Sequence, residues 1–111
     1  MTAEELTTIL YRKMKAEQDT YRDWLLGLLP EEILDHAYEY SVREDILMAL
    51  EGRELLAEQA LILLDSPCPL DDIYHNWQNQ DTRYMSDIRD TIENRADEVL
   101  SREQTNTEKK A

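Results

Sequence analysis

The sequence predicts an all-α fold, a compact bundle of four or five helices whose last helix is long. Three observations lead to this fold class. Only two glycines and three prolines occur in 111 residues, which leaves little turn chemistry for β-hairpins. Sixteen leucines contribute to a hydrophobic content of 41%, and leucine favours helices. Apolar residues also recur at steps of three and four, which is the spacing of an amphipathic helix.

The first helix is predicted to begin at a capping box, Thr2–Glu5. There the threonine hydroxyl can accept a free backbone N–H while the glutamate reaches back. Gly27 and Pro30 are expected to end this helix. Its apolar residues follow helical steps: Leu6, Ile9, Leu10, Met14, Tyr21, Trp24, Leu25 and Leu28.

The second helix is predicted to open at Pro30, because proline fits a first turn and the carboxylates of Glu31 and Glu32 complement the helix dipole. Its apolar stripe consists of Ile33, Leu34, Ala37 and Tyr38, with Tyr40 near the end. Ser41–Glu44 forms a second capping box within the helical pattern. We therefore expect a break or kink there and a third helix over Val42–Glu51.

The fourth helix is predicted over Arg53–Leu64, after a stop at Gly52. Apolar residues surround much of its circumference, which is typical of a helix at the centre of a bundle: Leu55, Leu56, Ala60, Leu61, Leu63 and Leu64. Asp65–Pro69, which contains two prolines, is the clearest predicted loop in the chain.

The last helix is predicted to begin at Pro69, with Asp71 and Asp72 in its first turn. Its stripe consists of Ile73, Trp77, Tyr84, Ile88, Ile92, Ala96 and Val99. The stripe weakens at Asn79–Asp81, where the helix can break. Residues 1–102 are predicted to form a single helical domain, and 103–111 a flexible polar tail.

The composition predicts a soluble, cytoplasmic protein. The single cysteine, Cys68, cannot form an internal disulfide, which fits a reducing compartment. The residues after Met1 lack the charged and apolar regions of a signal peptide. The longest apolar runs fall far short of the roughly 18 residues that a membrane span requires. We therefore expect no membrane partner.

Four stretches carry a resemblance: Tyr21–Leu26 (YRDWLL), Pro30–Leu47 (PEEILDHAYEYSVREDIL), Ser66–Tyr74 (SPCPLDDIY) and Arg89–Leu100 (RDTIENRADEVL). Through them the chain resembles a family of small bacterial proteins of unknown function, associated with Clostridia-type Firmicutes and their mobile elements. None of the stretches is a catalytic signature. The resemblance implies a bacterial, element-borne context, and it supplies no activity, cofactor or site residue.

Reaction chemistry has little support in the sequence. A di-iron bundle needs two Glu-x-x-His-like half-sites, and Asp72 with His75 is the only such pair. Cys68, Asp71 and His75 could approach a Zn²⁺ ion, which takes four ligands, yet capping by the aspartates explains them more simply. Cys68 also lacks the neighbouring cation in the sequence that activates a reactive thiol. We therefore expect no enzyme activity, no cofactor and no metal.

The charge is the main functional lead. The chain carries −13, and residues 31–98 hold 18 acidic side chains against five arginines. Such a field disfavours direct nucleic-acid binding, which needs clustered Lys and Arg, and favours a basic partner. On the second helix Glu31, Asp35 and Glu39 are four residues apart, about 6 Å on one face and similar to the spacing of phosphates on a strand.

The leading hypothesis is therefore a non-enzymatic protein-binding module that mimics nucleic acid. Its sharpest form is an inhibitor or regulator, of the counter-defence type, that docks on the basic groove of a nuclease or DNA-binding protein. The candidate partner-binding residues are Glu31, Asp35, Glu39, Glu44, Asp45, Glu54, Glu58, Asp87 and Asp90.

Two alternatives stay open. The acidic faces can serve solubility alone, since net charge affects solubility as much as recognition. The chain can also be a structural accessory or homodimerisation domain that pairs along its last helix. Met85, Ile92 and Val99 lie seven residues apart there, as in a short coiled-coil seam.

Overall fold

The computed structural model describes residues 1–80 and 84–110, and these residues form six α-helices and no strand. The helices are α1 (Ala3–Leu26), α2 (Pro30–Asp35), α3 (Ala37–Glu51), α4 (Ala57–Leu64), α5 (Pro69–Asn79) and α6 (Tyr84–Lys110). The predicted all-α class and the long last helix are confirmed, and six helices replace the predicted four or five. Within the described ranges, no helix has both the length and the apolar character to cross a membrane.

The chain divides into two compact units, Met1–Asn79 and Gln80–Ala111. The first unit contains α1 to α5, and the second contains α6. Each unit is described by itself below. The boundaries of a single domain over 1–102 and a flexible tail over 103–111 stay predictions.

Helix α1 is the centre of the first unit, packing on α3, α4 and α5. The predicted cap is present, since Thr2 Oγ1 accepts a hydrogen bond of 3.1 Å from the Glu5 amide. The Thr2 hydroxyl in turn donates a hydrogen bond of 3.2 Å to Glu5 Oε1. Gly27 caps the end of the helix. The core that forms on α1 consists of Leu10, Met14, Leu47 and Leu70, with partly buried apolar side chains around it.

The break between α2 and α3 lies at His36, so the predicted break at Ser41–Glu44 is wrong. The His36 backbone leaves the helical range, at φ −105° and ψ 2°. Its ring packs against Trp24, with 5.0 Å between ring centroids. Helix α3 then runs without interruption through Ser41, because tertiary contacts of Arg43 and Leu47 hold the segment helical and override the local capping signal. The predicted stop at Gly52 is confirmed.

Helix α4 is shorter and less central than predicted. It begins at Ala57 instead of Arg53, because Leu56 is extended and its amide donates to Gln59 Oε1 at 3.0 Å. The preceding segment is tied to α1 by a bond of 3.3 Å from the Leu55 amide to Thr7 Oγ1. Only Ala60 of this helix is buried. One side of α4 therefore packs on α1, and the apolar residues on its other side stay exposed.

Two side chains of α1, one turn apart, hold the predicted loop between α4 and α5. Lys13 Nζ donates to the carbonyl oxygens of Leu64, at 2.9 Å, and Ser66, at 2.6 Å. Glu17 accepts from the amides of Leu70, at 2.9 Å, and Asp71, at 2.8 Å. A cation thus satisfies carbonyls at the end of α4, and a carboxylate satisfies amides at the start of α5.

Helix α5 begins at Pro69, as predicted, and ends at Asn79. The helix therefore ends at Asn79, the first residue of the weak point predicted at Asn79–Asp81. Asp81 itself lies outside the described residues. In the second unit, every side chain from 85 to 104 is exposed. Helix α6 therefore buries none of its predicted stripe over that range.

Candidate partner-binding surface

Arg43 organises the best-defined polar cluster of the first unit. The residue is 4% exposed, and three carboxylates surround its guanidinium. Asp71 Oδ1 lies 2.7 Å from Nη2, Glu39 Oε2 lies 3.1 Å from Nε, and Glu17 Oε2 lies 3.9 Å from Nη1. A buried charge is tolerated when it is paired and hydrogen-bonded. The arginine thereby joins α1, α3 and α5.

Two tyrosines lie against the same guanidinium. The Arg43 Cζ atom lies 4.4 Å from the Tyr21 ring centroid and 5.7 Å from that of Tyr74. Burial, and next the neighbouring Glu39 carboxylate, raise the pKa of Tyr21 to about 12. Burial is also the largest cause that raises the pKa of Tyr74. Both phenols therefore stay neutral far above physiological pH.

Further aromatic side chains extend from this cluster to the surface. We define the aromatic face as Trp24, His36, Tyr38 and Trp77. The Trp24 and His36 rings meet edge to face, and Trp77 Nε1 lies 3.5 Å from the Tyr38 hydroxyl oxygen. The exposed fractions are 51% for Trp24, 47% for Tyr38 and 37% for Trp77. Exposed rings of this size are typical of residues that anchor protein interfaces.

Part of the aromatic face is joined to the Arg43 cluster. Tyr21 lies beside Trp24, with ring centroids 5.8 Å apart, and beside His36, at 6.5 Å. Tyr74 of α5 lies against the same guanidinium as Tyr21. The end of α1, the α2–α3 junction and α5 thus each bring a ring to this cluster or to its neighbours.

The nine predicted partner-binding carboxylates differ in their surroundings. Exposed carboxylates are Glu31, Asp35, Asp45, Glu54, Glu58, Asp87 and Asp90. Glu39 is engaged by Arg43, and Glu44 accepts a bond of 3.1 Å from Gln18 Nε2. The break at His36 also separates Glu39 from the helix that carries Glu31 and Asp35. The predicted row of three on one helix is therefore reduced to two, while a binding role for the nine residues stays a prediction.

The residues weighed as metal ligands take part in local contacts. Asp71 binds Arg43 and lies 3.4 Å from His75 Nδ1. Asp72 accepts a hydrogen bond from the Ser66 hydroxyl, and Cys68 is exposed. Across the described part of the chain, no three His, Cys, Asp or Glu side chains are placed to hold a metal ion.

Sequence reasoning missed the inward polar residues of this site. Gln18 is 1% exposed, and its amide nitrogen also lies 3.3 Å from the Tyr40 carbonyl oxygen. Its position four residues after Met14 on the core stripe was the available signal. For Arg43 the signal was Glu39, one turn before it in a region with few basic residues. The exposure of the aromatic rings could not be predicted, because periodicity shows that a face is apolar but not what covers it.

The fold and the surface together define a small all-α protein whose most distinctive feature is an exposed aromatic face around a neutralised arginine. The chain belongs to the family described as "Protein of unknown function (DUF3848)", whose match covers residues 6–100. This match confirms the predicted membership in a family of unknown function. No match was found among curated proteins, and none among solved structures.

Proposed function

We propose that the protein is a non-enzymatic binding module that docks its aromatic face on a basic surface of another protein. The observation that carries this proposal is the exposure of Trp24, Tyr38 and Trp77 in a strongly acidic unit. Residues 1–79 contain 17 Asp and Glu against six Lys and Arg, a net charge of −11. Tryptophan and tyrosine are enriched among residues that dominate binding energy.

The chemistry next to the aromatic face favours a cationic partner. Glu31 and Asp35 are exposed on α2, and α2 leads directly into His36 of the face. The one arginine beneath the rings is already bound by three carboxylates, so it adds little positive charge toward a partner. Arginine and lysine side chains of a partner can stack on exposed rings while their charges meet carboxylates.

The partner we propose is a nuclease or DNA-binding protein of the bacterial cytoplasm, inhibited or regulated by occupation of its nucleic-acid groove. Proteins that hold single strands combine a basic groove with aromatic stacking platforms. On the aromatic face, the flat rings would take the place of nucleic-acid bases. The neighbouring carboxylates would take the place of phosphates. A counter-defence role on a mobile element accords with the resemblance of the sequence and belongs to this proposal.

Affinity capture tests the proposal. The tagged protein is incubated with bacterial lysate at low and high salt, and bound proteins are identified. We expect a basic, nucleic-acid-binding partner that is lost as salt rises, because steering between opposite charges is screened. Glu31→Lys with Asp35→Lys should abolish capture.

The matched control places the same charge change in the second unit, at Glu93→Lys with Asp97→Lys, which are exposed, four residues apart and outside the nine candidate residues. If both pairs reduce capture equally, only net charge matters and the proposed surface is wrong. If neither pair reduces it, the acidic docking proposal fails. Nuclease activity in the captured fraction, with and without excess protein, then tests inhibition.

The alternative function, a structural accessory or homodimerisation domain without nucleic-acid mimicry, is favoured by a different observation. The described side chains of α6 are all exposed, including the apolar ones. This helix thus offers a second surface, independent of the aromatic face.

A further inference from the structure

An apolar stripe runs along α6 without being buried. We define the α6 stripe as Met85, Ile88, Ile92, Ala96 and Val99, which follow one another at steps of three and four. Ile92 is 63% exposed. Helical stability in proteins comes mostly from packing of an amphipathic face. The stripe is therefore a candidate docking surface.

The charges of α6 are unevenly distributed around the stripe. With 3.6 residues per turn, Arg89, Arg95 and Arg102 lie within a quarter turn of it. The acidic side chains on the opposite side are Asp87, Asp90, Asp97 and Glu98. Glu103, one turn after Val99, lies on the stripe side, and Glu93 lies at its edge. A partner facing the stripe thus meets arginines, even though the whole chain is acidic.

The outer face of α4 has the opposite character. We define the α4 outer face as Glu58, Leu61, Ile62 and Asp65, which lie on one side of the helix by the same periodicity. Leu61 is 54% exposed and Ile62 is 74% exposed. Both flanking carboxylates are exposed as well. An apolar pair is therefore bracketed by two negative charges.

The two faces match in spacing. Glu58 and Asp65 are seven residues apart, which is about 10.5 Å along a helix. Arg95 and Arg102 are also seven residues apart on α6, with apolar residues of the stripe between them. Both arginines lie near Glu98, at 3.1 and 2.7 Å. Exposed pairs of this kind contribute little, so the arginines can exchange them for carboxylates of a partner.

We propose that the α6 stripe of one chain docks on the α4 outer face of a second copy. Each copy carries one of each face. Two reciprocal contacts then give a closed, symmetric homodimer. The inference rests on the alternative function, the homodimerisation domain, and names its two faces. It uses no residue of the aromatic face, so it and the docking proposal can fail independently.

Sedimentation at several protein concentrations tests the dimer. We expect a concentration-dependent dimer, and we expect Ile62→Asp and Ile92→Asp each to raise its dissociation constant by about tenfold or more, as truncation of a central contact does. Both side chains are exposed, and circular dichroism checks that the fold is kept. The matched control is Leu34→Asp, at a residue 73% exposed on α2, which should leave the dimer unchanged.

Charge reversal tests the pairing itself. Arg95→Glu with Arg102→Glu should weaken the dimer, and so should Glu58→Arg with Asp65→Arg. Combining all four substitutions should restore it, because each new charge again meets its opposite. A quadruple variant no tighter than either double variant would contradict the pairing of α6 with α4.

A disulfide identifies the occupant. In a Cys68→Ser background, chains with Ile62→Cys are mixed with chains carrying Val99→Cys and oxidised. We expect a cross-link between the two chains. The inference is overturned if the unmodified protein is a monomer at all concentrations, or if a chain carrying both cysteines closes the bond only within itself.

Discussion

Arg43 shows how a single buried residue connects three helices of the first unit. Its partners come from α1, α3 and α5, so the arginine neutralises carboxylates that would otherwise repel one another. The sequence shows the Glu39–Arg43 spacing, but Glu17 and Asp71 lie too far along the chain to be assigned as partners without the fold. The site could therefore be predicted at the level of one local pair only.

Replacing Arg43 by alanine should destabilise the protein by about 1.5–3 kcal/mol, the range for hydrogen bonds to charged groups, because the carboxylates left behind are partly exposed to solvent. Urea unfolding followed by circular dichroism measures this loss. The control is Arg22→Ala, at an exposed position on α1, which should stay within about 0.5 kcal/mol. Equal effects of the two substitutions would contradict the role given to Arg43.

Tyr21 should make stability depend on alkaline pH. Its folded-state pKa is raised from the ordinary value of 10.0 to about 12, so the folded protein keeps a proton that the unfolded chain releases. The stabilisation is complete below pH 10 and is lost as pH rises toward 12. In a pH titration followed by phenolate absorbance, Tyr21→Phe should remove the step that occurs at the highest pH. It should also flatten the fall of stability over that range.

At the scale of elements, α1 determines where its neighbours end and begin. Lys13 and Glu17 together hold the loop that the prolines predict. Helix ends that depend on local chemistry, such as Thr2 and Gly52, could be predicted from the sequence. The break at His36 could not, because it accompanies packing of the imidazole on Trp24, a contact between residues of different helices.

Lys13→Met should destabilise the first unit by about 1.5–3 kcal/mol, the range for a hydrogen bond to a charged group. Lys15→Met is the matched control, two residues away on the same helix, where the ammonium pairs only with exposed Asp19 at 3.1 Å among the described contacts. That control should change stability much less, because solvent screens an exposed pair. Thermal unfolding of the two variants side by side gives the comparison, and similar losses would contradict the capping role.

At the scale of the whole molecule, acidity and aromatic exposure occur together in the first unit. Helical periodicity predicted the class of the fold, and charge counting predicted that a basic partner should be sought. Neither could show that Trp24, Tyr38 and Trp77 reach the surface. An apolar stripe has the same sequence pattern whether another helix or a partner covers it. The aromatic face therefore had to come from the structure.

The two tryptophans of the chain both lie in the aromatic face, so their fluorescence reports on that face alone. The most direct test of the docking proposal is acrylamide quenching of tryptophan emission, with and without the protein captured from lysate. A partner lacking tryptophan, or one made so by substitution, keeps the signal specific. The proposal predicts that binding shields Trp24 and Trp77 and lowers the quenching constant. A partner that binds while both indoles stay as accessible as before would contradict it.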